Sequence, residues 1–231
     1  MRPNALLFGA GGALGSSILA TLEARGYAVC TAGSRSGPNP SNHFQVSYDE
    51  PLPKGVFAGM PPLEAVVWAQ GLNCSDAITD FELRDLQRLW QGNVVFVASS
   101  LTALLEANKL EQGSRLVVVS SIWQLESRPG KFSYTVSKAA LQGLVKSCAL
   151  DLGARGILIN AVLPGVVDTP MTRSHLSGEQ IAAITAQTAL HRLAEPSDIA
   201  EAVAFLVSRA NRAMTGQFLT VDAGFTGLKH V

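Results

Sequence analysis

Tyr134 and Lys138 stand four residues apart in Tyr134-Thr135-Val136-Ser137-Lys138. On a helix, four residues turn through about 400° and rise about 6 Å, so the two side chains share one face. An ammonium beside a phenol stabilises the phenolate and lowers a pKa that starts near 10. Such a pair can exchange a proton with a carbonyl or an alcohol near neutral pH. Taken alone, the spacing is common surface decoration. A third group makes it a candidate site. Arg115-Leu116-Val117-Val118-Val119-Ser120-Ser121 reads as a buried strand ending in two hydroxyls. Ligands of open α/β sheets gather beyond the carboxyl ends of the strands, so Ser121 is expected to project toward the crevice that Tyr134 faces. Turn capping is the plainer use of a serine there.

The second feature is glycine-rich. Phe8-Gly9-Ala10-Gly11-Gly12-Ala13-Leu14-Gly15 follows a short apolar run and opens a segment with helical spacing. Glycines at a first strand-to-helix turn let the backbone bend tightly and approach a pyrophosphate, whose charge meets the helix's positive end. A following strand would end near Ala32-Gly33-Ser34-Arg35. No acidic residue is present there to hold the adenosine ribose hydroxyls. Ser34 and Arg35 could instead meet a 2′-phosphate, which favours NADP(H) over NAD(H).

The elements that must position these groups are legible as a pattern. Apolar runs recur at Ala5–Phe8, Ala28–Thr31, Ala65–Ala69, Leu116–Val119, Ile157–Val162 and Phe218–Val221, most with little polar alternation. Strands of this kind are buried on both faces, as in a parallel sheet covered by helices. Between them Leu14–Arg25, Phe81–Glu106, Tyr134–Arg155 and Pro196–Ser208 carry helical spacing, Pro196 suiting a first turn with Glu195 near the cap. Gly33–Pro62 holds six prolines and no full helix fits it; a short strand is expected around Phe44–Val46. The alternation predicts right-handed βαβ units in one α/β domain, a doubly wound, mostly parallel sheet with helices on both faces.

Composition agrees. The chain has 231 residues, 47% apolar and 16% charged, with eighteen basic residues balancing eighteen acidic ones. That balance gives little field for nucleic acid or an anionic membrane surface. Cys30, Cys74 and Cys148 are odd in number and far apart, which suits reduced thiols in the cytoplasm and no metal site. No apolar stretch approaches a membrane span.

Val118-Val119-Ser120-Ser121 followed by Tyr134-Thr135-Val136-Ser137-Lys138 resembles the Ser…Tyr-x-x-x-Lys signature of the short-chain dehydrogenase/reductase family. Asn93 in Trp90-Gln91-Gly92-Asn93-Val94 is similar to the asparagine that completes its tetrad. Leu163-Pro164-Gly165-Val166-Val167-Asp168-Thr169-Pro170-Met171 resembles its Pro-Gly loop, and Arg192–Ala200 and Thr215–Gly224 its closing helix and last strand. The resemblance implies a Rossmann-like sheet of about seven strands in a single domain over 1–231, of the type of 3-oxoacyl-carrier-protein reductases. It implies hydride transfer between NAD(P)(H) and a carbonyl or secondary alcohol. Tyr134 would be the acid/base, Lys138 would tune it and hold the nicotinamide ribose, Ser121 would bind the substrate oxygen, and Asn93 would support a water relay. Gly9, Gly11, Gly12, Ala13, Leu14, Gly15, Ser34, Arg35, Ala69, Gly71, Pro164, Gly165, Val167 and Thr169 would line the cofactor beside Tyr134 and Lys138. A homodimer or homotetramer is also implied.

The departures from the family pattern cluster. Phe8 stands where threonine is usual, Ala13 where a glycine is, and Trp68-Ala69-Gln70-Gly71 where Asn-Asn-Ala-Gly is common. All touch the adenosine half of the expected cofactor site. Two rival functions remain at this level: a dehydratase or epimerase on the same scaffold, and a dinucleotide sensor without turnover.

Overall fold

The computed structural model describes residues 2–34, 42–48 and 50–227. Seven parallel strands, β1 (Asn4–Phe8), β2 (Ala28–Gly33), β3 (His43–Gln45), β4 (Leu63–Trp68), β5 (Leu110–Val119), β6 (Leu158–Pro164) and β7 (Phe218–Val221), form one sheet in the order β3-β2-β1-β4-β5-β6-β7. The order reverses between β1 and β4. Chains leaving neighbouring strands there diverge to opposite faces and open a crevice at the carboxyl ends.

Alternate residues of each strand feed two separate cores, as a sheet covered on both faces requires. Leu6, Phe8, Val66, Trp68, Leu116 and Val118 pack on one face with Phe96, Leu104 and Val145. These come from α3 (Phe96–Glu106) and α4 (Phe132–Gly153), which follow α2 (Leu83–Trp90). Ala5, Leu7, Ala65, Val67, Val117 and Val119 pack on the other with Ile18, Leu22, Ile199 and Val203, from α1 (Ala13–Ala24) and α7 (Pro196–Val207). Pro196 opens α7, and the Glu195 side chain and Asp198 cap it reciprocally.

Three differences from the sequence reading have physical causes. Phe81–Glu106 is not one regular helix: Gln91–Val95 between α2 and α3 is a π turn. β5 begins six residues earlier than its apolar run, at Leu110. Its polar first half is carried by Ser114, whose Oγ donates to the Leu63 carbonyl at 2.8 Å, and by Gly113 at φ +90°. Two helices, α5 (Pro170–His175) and α6 (Gly178–Ala186), occupy the stretch after β6. α6 announces itself only by the Ser177/Gln180 capping box, since none of its described residues is buried.

Candidate active site

Beyond the carboxyl end of β5 the backbone enters a 3₁₀ turn, Ile122–Gln124, capped by Ser121, whose Oγ accepts from the Trp123 N–H at 3.3 Å. The same hydroxyl favours ionisation of the Tyr134 phenol, which it faces. Capping and site duty thus fall on one side chain. Lys138, one turn along α4, brings Nζ to 5.6 Å from the Tyr134 ring centroid and donates to the Val119 carbonyl at 3.3 Å. The spacing therefore puts all three groups in one place.

The expected lowering of the phenol's pKa is corrected. Burial pushes Tyr134 up to about 12, offset only in part by the Ser121 hydroxyl. Burial likewise pushes Lys138 down to about 8. The ammonium reaches a backbone carbonyl rather than the phenol oxygen, and desolvation outweighs it.

Asn93 lies in the π turn and is buried. Its Oδ1 accepts from the Leu72 N–H at 2.7 Å, while Nδ2 donates to the Leu72 carbonyl and to Ser137 Oγ, each at 3.0 Å. Ser137 Oγ in turn donates to the Tyr134 carbonyl at 2.8 Å. Asn93 thus braces α4 against the segment after β4; its side chain is engaged there and not with Lys138. Gly71, on that segment, sits where an added Cβ would lie 3.7 Å from Lys138 Nζ.

At the other end of the crevice the glycines interlock. Gly9 has φ +81°, and a Cβ on it would lie 2.5 Å from the Gln70 nitrogen. A Cβ on Gly15 would meet the Gly9 oxygen at 2.0 Å. Gly11 faces open space, and Gly12 caps α1 without any side-chain acceptor. The first-turn N–H groups, with exposed Ala13 and half-buried Leu14, thus stand uncrowded at a helix's positive end, which fits a pyrophosphate. Ala69 continues β4 through its N–H to the Phe8 carbonyl, 3.0 Å. Ser34 is exposed at the end of β2; Arg35 lies outside the described residues.

The loop after β6 is tied down. Gly165 donates to the Val221 carbonyl at 3.0 Å and abuts Asp222, which leaves no room for a Cβ. Pro164 ends the strand, and Val167 bridges to Ala194. Thr169 caps α5 with Oγ1 accepting from the Thr172 N–H at 3.1 Å.

Sequence reasoning passed over two groups at the crevice. The Tyr48 hydroxyl donates to the Ala32 carbonyl at 3.3 Å, which also accepts from the Gly9 N–H at 3.0 Å, and is pushed up to about 12 by burial. It lies 3.1 Å from where a Gly33 Cβ would be. Only the glycine at the end of β2 hinted at it. The other is Lys131, buried one turn before Tyr134; the spacing of three was the available signal.

Two of the departures, Phe8 and Trp68, belong to one aromatic cluster. Phe8 stacks on Trp68 at 5.8 Å, with Phe57 and Phe96 edge-on to it and Tyr48 edge-on to Phe96. Trp68 Nε1 donates to Ser100 Oγ at 2.8 Å.

Comparison with known proteins bears on the family and the fold. The family described as "Enoyl-(Acyl carrier protein) reductase" matches residues 56–226. An uncharacterised oxidoreductase of Bacillus subtilis (strain 168) is 32% identical over 97% of this chain and 99% of its own length. The 3-oxoacyl-[acyl-carrier-protein] reductase of Escherichia coli (strain K12) is 30% identical over 95% and 96%. A cyclopentanol dehydrogenase of a Comamonas species is 35% identical over 80% and 72%. Among solved structures, a short-chain dehydrogenase/reductase from Serratia marcescens superposes with a TM-score of 0.88 at 25% identity, covering 97% of this chain and 98% of that one. A blue fluorescent protein from a metagenomic library in complex with NADPH gives 0.86 at 26% identity, with the same coverage.

Proposed function

Because the chain belongs to the short-chain dehydrogenase/reductase family, we propose that it transfers a hydride between NADP(H) and a carbonyl or secondary alcohol, with Tyr134 as proton donor and acceptor. The observation that carries this reading is the grouping of the Ser121 hydroxyl and the Lys138 ammonium about Tyr134, beside Gly71. The nicotinamide supplies the hydride. The chain's own residues bind, orient and move the proton.

Ser121 holds the substrate oxygen next to the Tyr134 hydroxyl. Burial keeps that phenol protonated at neutral pH, so it meets a carbonyl with its proton available. Lys138 supports the phenolate left behind and holds the nicotinamide ribose, and Asn93 fixes the seam between α4 and the segment after β4. Gly9, Gly11, Gly12, Ala13, Leu14 and Gly15 receive the pyrophosphate; Ala69, Gly71, Pro164, Gly165, Val167 and Thr169 line the remainder. NADP(H) is favoured because no carboxylate stands at Ala32, Gly33 or Ser34 to repel a 2′-phosphate. A homodimer or homotetramer is supported by the apolar groove of about 460 Å³ that Leu86, Trp90 and Val136 line between α2 and α4.

The test is loss of NADPH absorbance with a panel of ketones and 3-oxoacyl thioesters. Oxidation that requires the ketone supports the reading. Tight NADPH binding with no turnover of any member favours a sensor instead.

A further inference from the structure

Lys131 is a buried charge that the chemistry above leaves unused. It precedes α4 by one residue and is 7% exposed. Its Nζ donates to Asn73 Oδ1 at 3.0 Å, to the Cys74 carbonyl at 3.1 Å and to Ser75 Oγ at 3.4 Å. All three acceptors are neutral, and all lie on the segment after β4. The carboxylate of that segment, Asp76, instead accepts from the Ser133 N–H at 3.0 Å and from the Ser133 hydroxyl. An ammonium taken out of water against neutral acceptors is costly to keep. A neutral side chain of similar length would fill the space at less cost, so the charge itself calls for an explanation.

Its position supplies one. Lys131 Nζ lies 5.7 Å from the Tyr134 ring centroid, and Lys138 Nζ lies 5.6 Å from it. The ring has two ammoniums at matched range, one from three residues before and one from four residues after. A cation near an aromatic ring attracts a neutral phenol weakly and a phenolate strongly. We propose that Lys131 is a positioning residue for Tyr134: it fastens the 73–75 segment to the head of α4 and holds a second positive charge beside the phenol, so that the phenolate forms more readily than Lys138 alone allows. The proposal rests on Tyr134 being the proton donor. The charged and titratable groups around the pair are Lys138 on the same helix, Cys74 and Asp76 on the segment after β4, and Arg128 on the segment before α4. Arg128 adds to the positive field and Asp76 subtracts from it, and neither changes in the test.

The chain has three tyrosines, so a Tyr27→Phe/Tyr48→Phe background leaves Tyr134 as the sole phenol. Its ionisation is followed by ultraviolet difference absorbance, without substrate. Lys131→Met is expected to raise the midpoint by about half a unit to one and a half units, and Lys131→Arg to leave it near the parent value. Lys131→Gln is the second neutral variant if the methionine chain does not fold. In cyclopentanol oxidation, Lys131→Met should be about three- to thirtyfold slower near neutral pH and converge on the wild type as pH rises. A midpoint unmoved in both neutral variants, or a midpoint raised equally in Lys131→Arg, overturns the proposal. Wild-type turnover in Tyr134→Phe instead overturns the reading beneath it, and the phenol titration separates the two failures.

Discussion

The two ends of the crevice are built from opposite materials. Over β5 and α4, hydroxyl and amide groups are chained: Tyr134 through its carbonyl to Ser137, Ser137 to Asn93, Asn93 to Leu72. Over β1 and β4, the floor is the ring cluster of Phe8, Phe57, Trp68, Phe96 and Tyr48. A polar chain fails when one member is removed, because its partner is left buried without a hydrogen bond. A ring cluster fails by volume, and volume-conserving exchanges pass. The polar chain therefore fixes residue identity, and the packing of the ring cluster is set chiefly by size. Two of the departures from the family pattern, Phe8 and Trp68, stack on each other in that cluster.

The sharpest test of this contrast is Tyr134→Phe, which keeps the ring and removes one oxygen. Turnover is expected to fall by about two to four orders of magnitude, with NADPH affinity and melting temperature nearly unchanged. A variant that keeps more than about a tenth of the rate takes Tyr134 out of the mechanism.

The matching change at the other end is Phe8→Ala, which empties the centre of the cluster. A stability loss of about 3–5 kcal/mol in denaturant titration is expected. Phe8→Leu should cost much less. Equal losses for the two would mean that the cluster depends on ring geometry rather than filled volume.

Cofactor choice probes the adenosine end at its rim. NADPH is expected to have the higher kcat/KM, and Arg35→Ala to lose a factor of about ten to a hundred of that advantage with NADH use unchanged. Equal use of both cofactors by the wild type would defeat the assignment.

The smallest expected effect concerns Lys138. Its folded pKa, about 8, lies below the unfolded value of 10.5, so the unfolded state binds more protons between those limits. The buried ammonium therefore costs stability below about pH 8, and the cost fades as pH rises toward 10.5. Lys138→Met should accordingly melt a few degrees higher near neutral pH, with a gain that shrinks through that window. A gain that grows with pH would reverse the sign of the argument.

The sequence carried most of this architecture because the signals were local. β1, β7 and α7 follow from unbroken apolar runs and from Pro196 behind Glu195, and Tyr134 with Lys138 follows from helical geometry. What escaped was set by partners distant in sequence. The first half of β5 is tied down by Ser114, which reaches Leu63, 51 residues away. The cluster joins Phe8 to Phe57, Trp68 and Phe96, which read singly as departures or as core. Lys131 looks like a solvated lysine until Asn73, Cys74 and Ser75 are folded against it. The direction of the Tyr134 shift was misjudged for the same reason: proximity of a charge is visible in spacing, and desolvation is not.

The π turn at Gln91–Val95 gives chain length a meaning of its own. A π turn holds one residue more than the α-helix it interrupts, so α2 and α3 are offset in phase by about 100°. Deleting one residue there would restore regular hydrogen bonding through the whole 83–106 segment, a local improvement. It would also swing α2 around its axis, lifting Leu89 from the interior and turning Trp90 and Leu86 away from Val136. Asn93 would lose its alignment with Leu72. The extra residue works like a spacer tooth in a gear train: it holds two helices out of step so that each meshes with its own neighbour.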